Sequence, residues 1–274
     1  MKQLLFAVTL SALVHAQSDG PAFETASIKE SGGPGPASFA PGRFSRTYIT
    51  LVQLLIYAHQ MSDFQVVGAP DWVRERRYDV QAKAEGRPTA DEMRLMVRQL
   101  LAERFALKTH LETRDLPRYA LLMSRSDRRL GPKLVPSKYD CPAILAARGP
   151  DYKPPNFPPR PGDPPGCATI TALGGGSQTT IIHGEPISAI AKMLQTRAGR
   201  VVVDKTGLTG RYDVALETEI TITVPGVPAN EFGVPREGLS LFTALPEQLG
   251  LKLESERGPV DVLVIDSVEL PTPN

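Results

Sequence analysis

His110 and Glu112 stand two residues apart in a run, Leu107 to Thr113, that reads as a β-strand. Side chains so spaced share one face of a strand, and an imidazole beside a carboxylate is part of a zinc ligand set. No third ligand is evident, and a solvated strand face is the simpler reading. His183 precedes Gly184-Glu185-Pro186, just before a helical pattern. As a general base it could serve Ser177 or Asp204, the arrangement of a hydrolase. His59 ends another helical pattern, where a solvated cation favours the helix dipole. The sequence holds no GxSxG elbow, HExxH, P-loop or GxGxxG, and Gly174-Gly175-Gly176-Ser177 lacks the flanking order of an elbow. No catalytic residue, metal site or cofactor is therefore assigned.

A second set of chemistry-bearing residues is repeated. Arg77-Tyr78-Asp79-Val80 recurs as Arg211-Tyr212-Asp213-Val214. In a strand the Arg and Asp point one way and the Tyr and Val the other. The structural reading buries both tyrosines and valines and leaves Arg and Asp on the wetter face. The binding alternative uses the two Arg forks to grip carboxylates, which makes Arg77, Asp79, Arg211 and Asp213 candidate binding residues. Trp72, the one tryptophan, lies in Gly68-Ala69-Pro70-Asp71-Trp72. It serves either as a binding platform or as a plug over a small core. Its second-half counterpart region, Asp204 to Leu208, is aliphatic.

Similar elements surround both copies. Leu51, Leu54, Leu55 and Ala58 line a helix with Thr50 at its N-cap and Gln53 at the capping-box position. Ile187, Ile190, Ala191 and Leu194 line its counterpart, with Pro186 in the first turn and Gly199 as the stop. After each copy comes a second helix. The first is marked by Thr89, Glu92, Met93, Met96, Val97, Leu100 and Leu101, the second by Leu241, Leu245 and Leu249. Pro246 falls inside the second pattern and should kink or restart it. Each half then ends in a predicted hairpin, split at Asp115-Leu116-Pro117 and at Arg257-Gly258-Pro259. Fold class is α+β: two similar halves, each with two helices packed on a small, mainly antiparallel sheet. The expected boundaries are 22–125 for the first repeat and 168–270 for the second, with a proline-rich linker loop over 126–167.

The first sixteen residues give the compartment. Met1-Lys2-Gln3, the apolar run Leu4 to Val14 and the small residue Ala16 read as a signal peptide over 1–16, cut before Gln17. That run is shorter than a bilayer span, which takes about 20 residues, and no later stretch approaches one. The expectation is an exported protein, periplasmic or extracellular, with no membrane span after cleavage. In that compartment the two cysteines, Cys141 and Cys167, most often pair. A redox pair or half a metal site finds no support in a CxxC spacing or a nearby His. Between them Pro150 to Pro165 holds eight prolines in sixteen residues, an extended surface loop. The 274 residues carry a net charge of +1, which excludes a general nucleic-acid binder.

The chain also resembles a bacterial secreted-protein family of unknown function, abundant in soil acidobacteria. The likeness rests on Phe23 to Lys29, Val67 to Trp72 with Arg77 to Val80, Leu100 to Phe105, Val203 to Asp213 and Gln248 to Glu254. Pro246 departs from the polar residue usual there. The resemblance implies export, two related halves and no assigned catalytic residues. Similar domains attached to membrane-bound regulatory metallopeptidases hint at sensing. Each half is more distantly similar to the short N-terminal domain of secretins and TonB-dependent receptors, a module that contacts other proteins.

The function expected from these readings is a non-enzymatic exported protein whose partner is a protein, peptide or envelope component, taken up by an open sheet edge or the proline loop. The alternative is a secreted hydrolase with a site near His183 or His110. A small-molecule carrier is a third, and needs a deep apolar pocket between the halves.

Overall fold

The computed structural model describes residues 20–35, 40, 42–146, 167, 170–174, 177–219 and 238–271. The expected signal peptide and the run Pro150 to Pro165 lie outside them. The strands are β1 Thr25–Glu30, β2 Arg43–Thr50, β3 Val66–Val67, β4 Arg77–Lys83, β5 Lys108–Met123, β6 Leu134–Pro136, β7 Ile170–Gly174, β8 Ser177–Glu185, β9 Val202–Asp204, β10 Tyr212–Glu219 and β11 Leu251–Ser267. The α-helices are α1 Leu51–His59, α2 Trp72–Glu75, α3 Ala90–Arg104, α4 Cys141–Ala146, α5 Ile187–Ala198 and α6 Leu241–Ala244. The architecture is α+β.

The chain divides into two compact units. One comprises Met1–Met61, Gly68–His110 and Val264–Asn274; the other comprises Ser62–Val67 and Leu111–Leu263. These limits run differently from the repeat boundaries read in the sequence. Residues 126–167, expected as a linking loop, carry β6 and α4.

In the first unit β4 lies between β1 and β2, antiparallel to both. Alternation along β4 buries Tyr78, Val80 and Ala82, and the Tyr78 ring meets Phe105, the residue that ends α3, edge-on with ring centres 5.4 Å apart. Thr50 caps α1: Gln53 N–H donates to Thr50 Oγ1 at 3.3 Å, and Gln53 Oε1 accepts from Thr50 N–H at 2.9 Å. Thr89 and Glu92 form the same reciprocal cap on α3. Two orphan donors are satisfied at each helix start, and each such cap contributes about 1 kcal/mol.

The second unit has two four-stranded sheets, ordered β6-β10-β8-β7 and β3-β11-β5-β9. Every second residue of β8 and β10 is buried. The core gathers Leu134, Ile182, Leu194, Leu216, Leu245 and Leu249, among others. Gly199 ends α5 in the left-handed region at φ 66°, as its sequence position predicts. The regular α-helix stops just before Pro246, as its sequence position predicts: α6 ends at Ala244, and a π turn follows over Leu245–Leu249 with Pro246 in its first turn and Gly250 N–H reaching Leu245 O. The wider turn absorbs the donor that proline lacks.

The two expected hairpins do not form. β5 runs unbroken through Pro117 and β11 through Pro259. Side chains from these turn-like segments instead bond across the pair. Arg257 reaches Asp115 Oδ2 at 2.9 Å and its backbone oxygen at 2.6 Å, and Arg118 reaches Glu256 at 2.8 Å and the Pro259 carbonyl at 3.0 Å. The Arg118 guanidinium packs directly over Gly258, where a Cβ would lie 2.5 Å from it and would have to displace that side-chain end.

Candidate functional site

The repeated Arg-Tyr-Asp-Val segments make the same contacts in both units. Arg77 Nη1 donates to Tyr48 O at 3.2 Å, and Asp79 Oδ1 accepts from Tyr48 N–H at 2.9 Å. Arg211 Nη1 donates to Gly184 O at 3.2 Å, and Asp213 Oδ1 accepts from Gly184 N–H at 2.9 Å. Tyr48 and Gly184 both have positive φ, 55° and 64°, and both sit where the ladder register shifts. Each lies two residues before the N-cap of the next helix, Thr50 or Pro186. The Arg and Asp therefore grip both polar atoms of a bulged residue and fix the corner where strand becomes helix. On the other side of the strand, Ser31 N–H donates to Arg77 O at 2.9 Å and Ser137 N–H to Arg211 O at 2.8 Å.

The two corners differ in what surrounds them. The Arg77 guanidinium lies 4.6 Å from the centre of the Tyr48 ring. The Ser31 hydroxyl and then the Tyr48 N–H hold the Asp79 carboxyl below the usual carboxylate range. Arg211 pairs instead with Asp140 at 3.1 Å, and Cys141 packs on Gly184: a Cβ at Gly184 would meet Tyr139 O at 2.7 Å and Cys141 Sγ at 2.9 Å. Cys141 and Cys167 form a disulfide with Cα atoms 5.2 Å apart. The tyrosines are buried in both copies. Tyr212 donates to Thr209 O at 3.0 Å, whereas the Tyr78 hydroxyl has no hydrogen-bond partner among the described residues and burial pushes its pKa up.

His110 and His183 each lie beside a different carboxylate. His183 and Ser177 are six residues apart on β8, about 20 Å at the strand rise of ~3.3 Å per residue. Ser177 donates to Glu217 at 2.9 Å; that bond first, and Lys133 second, pull the Glu217 carboxyl below its usual range. His183 Nδ1 is 3.5 Å from Asp213 Oδ1. Asp204 accepts from Thr206 N–H at 2.9 Å and from its hydroxyl at 2.7 Å, which closes a local turn. His110 pairs with Asp266 at 2.9 Å, and Glu112 with Arg114 at 2.7 Å. The structure thus does not join Ser177 to His183, and it gives His110 and Glu112 different partners. No group of three or more His, Cys, Asp or Glu is placed to hold a metal among the described residues.

Half-burial at Trp72 fits both of its readings, whereas His59 reads differently in three dimensions. Trp72 opens α2 and is half-buried. His59 is not a solvated cation: burial, and secondly the neighbouring Arg98, lower its pKa to about 4. Arg98 Nε caps the end of α1 by donating to Ala58 O at 2.9 Å, so a residue on α3 supplies the positive charge expected of the histidine.

The sequence reading missed Tyr48 and Gly184, the residues the two clamps hold. The signal at Gly184 was its place two residues before Pro186. Nothing marks Tyr48, because a tyrosine carries no preference for positive φ. It also missed a cleft of about 320 Å³ in the first unit, between residues 22–26 and the face of α3 formed by Met96, Gln99, Leu100, Glu103 and Arg104.

No helix among the described residues is long and apolar enough to cross a membrane. Comparison with curated proteins gave no match, and comparison with solved structures gave none. A family profile described as "Protein of unknown function (DUF3738)" matches residues 52–268, and the chain belongs to that family.

Proposed function

We propose that the chain is an exported, non-enzymatic binding protein whose partner is a protein or peptide of the cell envelope. The observation that carries this reading is where the reactive residue types are engaged. Ser177 donates to Glu217, Asp213 holds a backbone N–H, and Asp204 closes a turn. Each serves the scaffold, and the nucleophile and base of the hydrolase alternative stand about 20 Å apart. The disulfide supports export, since such bonds persist in oxidising compartments.

The scaffold itself is read as a duplicated module. The strand that stands to β10 as β1 stands to β4 is β6, which precedes the proline run. A second module beginning near Leu134 therefore fits better than one beginning at 168, and the proline run becomes an insertion within it. On this reading Arg77, Asp79, Arg211 and Asp213 are scaffold residues, and binding falls to open strand edges.

The test is capture with the tagged mature protein from its native envelope after chemical crosslinking, alongside assays with generic ester and peptide substrates. Reproducible crosslinks to a defined partner without turnover support the proposal. Saturable turnover with no partner reverses it.

A further inference from the structure

We infer that the corner at Tyr48 and Arg77 binds an acidic side chain of a partner protein, as the corner at Gly184 and Arg211 binds Asp140. This deepens the binding role proposed above and rests on it. Each clamp spends one guanidinium nitrogen on the scaffold: Arg77 Nη1 on Tyr48 O and Arg211 Nη1 on Gly184 O. Arg211 Nη2 then reaches Asp140 Oδ1 at 3.1 Å. Arg77 Nη2 meets no acceptor among the described residues. The first corner thus joins the strand edges as a binding surface.

The sequence accounts for the difference. Ser31 N–H donates to Arg77 O and Ser137 N–H to Arg211 O, so the two serines hold matching places. Three residues beyond Ser137 stands Asp140; three residues beyond Ser31 stands Pro34. Gly32, Gly33, Pro34 and Gly35 carry no side-chain acceptor. Gly32, Pro34 and Gly35 are exposed, and a Cβ at Gly32 or Gly33 would meet no atom within 4 Å. The second unit closes its corner with its own chain, and the first offers a slight, solvent-facing segment in the same place.

The clamp carboxylate does not take the place of Asp140. Asp79 is spent on the Tyr48 N–H. Asp213 is spent in the same way on Gly184 N–H, and Arg211 still pairs with Asp140. The residue at the bend differs too. Glycine suits the positive φ of the second corner, whereas the first holds a tyrosine there at 55°. Backbone strain of this kind collects where it serves function. Here it presents the Tyr48 ring, 40% exposed, beneath the Arg77 guanidinium at 4.6 Å.

Charge selects the occupant. A stacked ring covers one face of a guanidinium and leaves its coplanar donors at the edge. The group that matches those donors is a carboxylate. The second corner shows the form in which it comes: a side chain, from a segment whose next residue, Cys141, packs on the clamped one. Asp140 of a second copy is engaged within its own chain, beside the disulfide at Cys141. The occupant of the first corner is therefore an aspartate or glutamate of another protein.

The experiment selects displayed random dodecapeptides against the mature protein, with counter-selection against Pro34→Asp, which supplies the carboxylate from within the chain. The best binder is synthesised with both ends capped, so that its only carboxylates are side chains. Replacing its acidic residue by the matching amide should weaken binding about tenfold. Hydrogen exchange should show added protection at residues 31–35 and 47–49. Pro34→Asp should raise the thermal unfolding midpoint while weakening the peptide by at least about tenfold. Tyr48→Gly keeps both clamp bonds, which use main-chain atoms, and should fold like wild type by circular dichroism yet bind more weakly. A binder that needs its free C-terminus overturns the inference, as does protection elsewhere or unchanged binding by Tyr48→Gly. Recovery of no peptide that survives the counter-selection also overturns it. Each of these outcomes leaves the broader binding role standing, which falls instead on saturable substrate turnover.

Discussion

Asp213 Oδ1 holds the backbone N–H of Gly184 at 2.9 Å, at a residue whose φ is 64°. The carboxylate fixes a conformation that only glycine adopts without strain, at the point where β8 turns into α5. Gly184→Ala should therefore destabilise by about 2 kcal/mol or more, since it adds both the backbone penalty and a collision with Tyr139 O and Cys141 Sγ. Urea denaturation measures this; an unchanged midpoint would remove the clamp from the account.

The acceptors themselves can be tested. Asp79→Ala and Asp213→Ala should each cost about 1–2 kcal/mol through a lost hydrogen bond to a backbone donor. Asn in place of Asp keeps an acceptor and should recover part of the loss. Equal stability of all four variants would return these residues to the binding alternative.

The two tyrosines should respond in opposite ways. Tyr78→Phe removes a buried hydroxyl that has no partner among the described residues, so stability should hold or rise by up to about 1 kcal/mol. Tyr212→Phe breaks the bond to Thr209 O and should cost about 1 kcal/mol. Thermal unfolding of both single variants checks the pair.

His59 gives a pH dependence. Its folded pKa is about 4 against 6.5 for the free side chain. Below 6.5 the unfolded chain binds a proton that the folded one refuses, so stability falls as pH drops from about 6.5 to 4 and the loss is complete below that. Solvent screening at a half-exposed ring limits the loss to about 1–2 kcal/mol. Carboxylates titrate in the same range, so the readout is a difference: His59→Gln should lose less stability than wild type between pH 7.5 and pH 4.5. A parallel decline in both would remove His59 from the account.

The disulfide should be structural. Cys141 is 0% and Cys167 6% exposed, so dithiothreitol should leave the bond intact without denaturant, as read by mass after alkylation. A Cys141→Ser, Cys167→Ser double variant should lose about 2–4 kcal/mol. Rapid reduction under native conditions would contradict the burial.

Local signals in the sequence were readable where one residue type has one physical use. Thr50 with Gln53 and Thr89 with Glu92 are capping boxes in the sequence and in the structure. The Arg-Tyr-Asp-Val spacing placed both tyrosines in the core. Where the signal is a relationship between distant segments, it was not legible. Asp115-Leu116-Pro117 reads as a turn until Arg257 is seen bonded to it. Three-residue β6 is too short to announce itself, so the proline run read as a linker. The clamps were half visible, because each Arg and Asp is in the motif while the residue it holds lies about thirty positions away. The β1–α3 cleft has no linear signature, since its two walls come from segments some seventy residues apart.

The measurement that bears most directly on the binding role is turnover by the purified mature protein, with His183→Ala and His110→Ala beside it, run with the envelope crosslinking described above. The account predicts a crosslinked partner retained by all three proteins and no hydrolysis of ester or peptide substrates by any. Saturable hydrolysis by wild type that disappears in either histidine variant would contradict it.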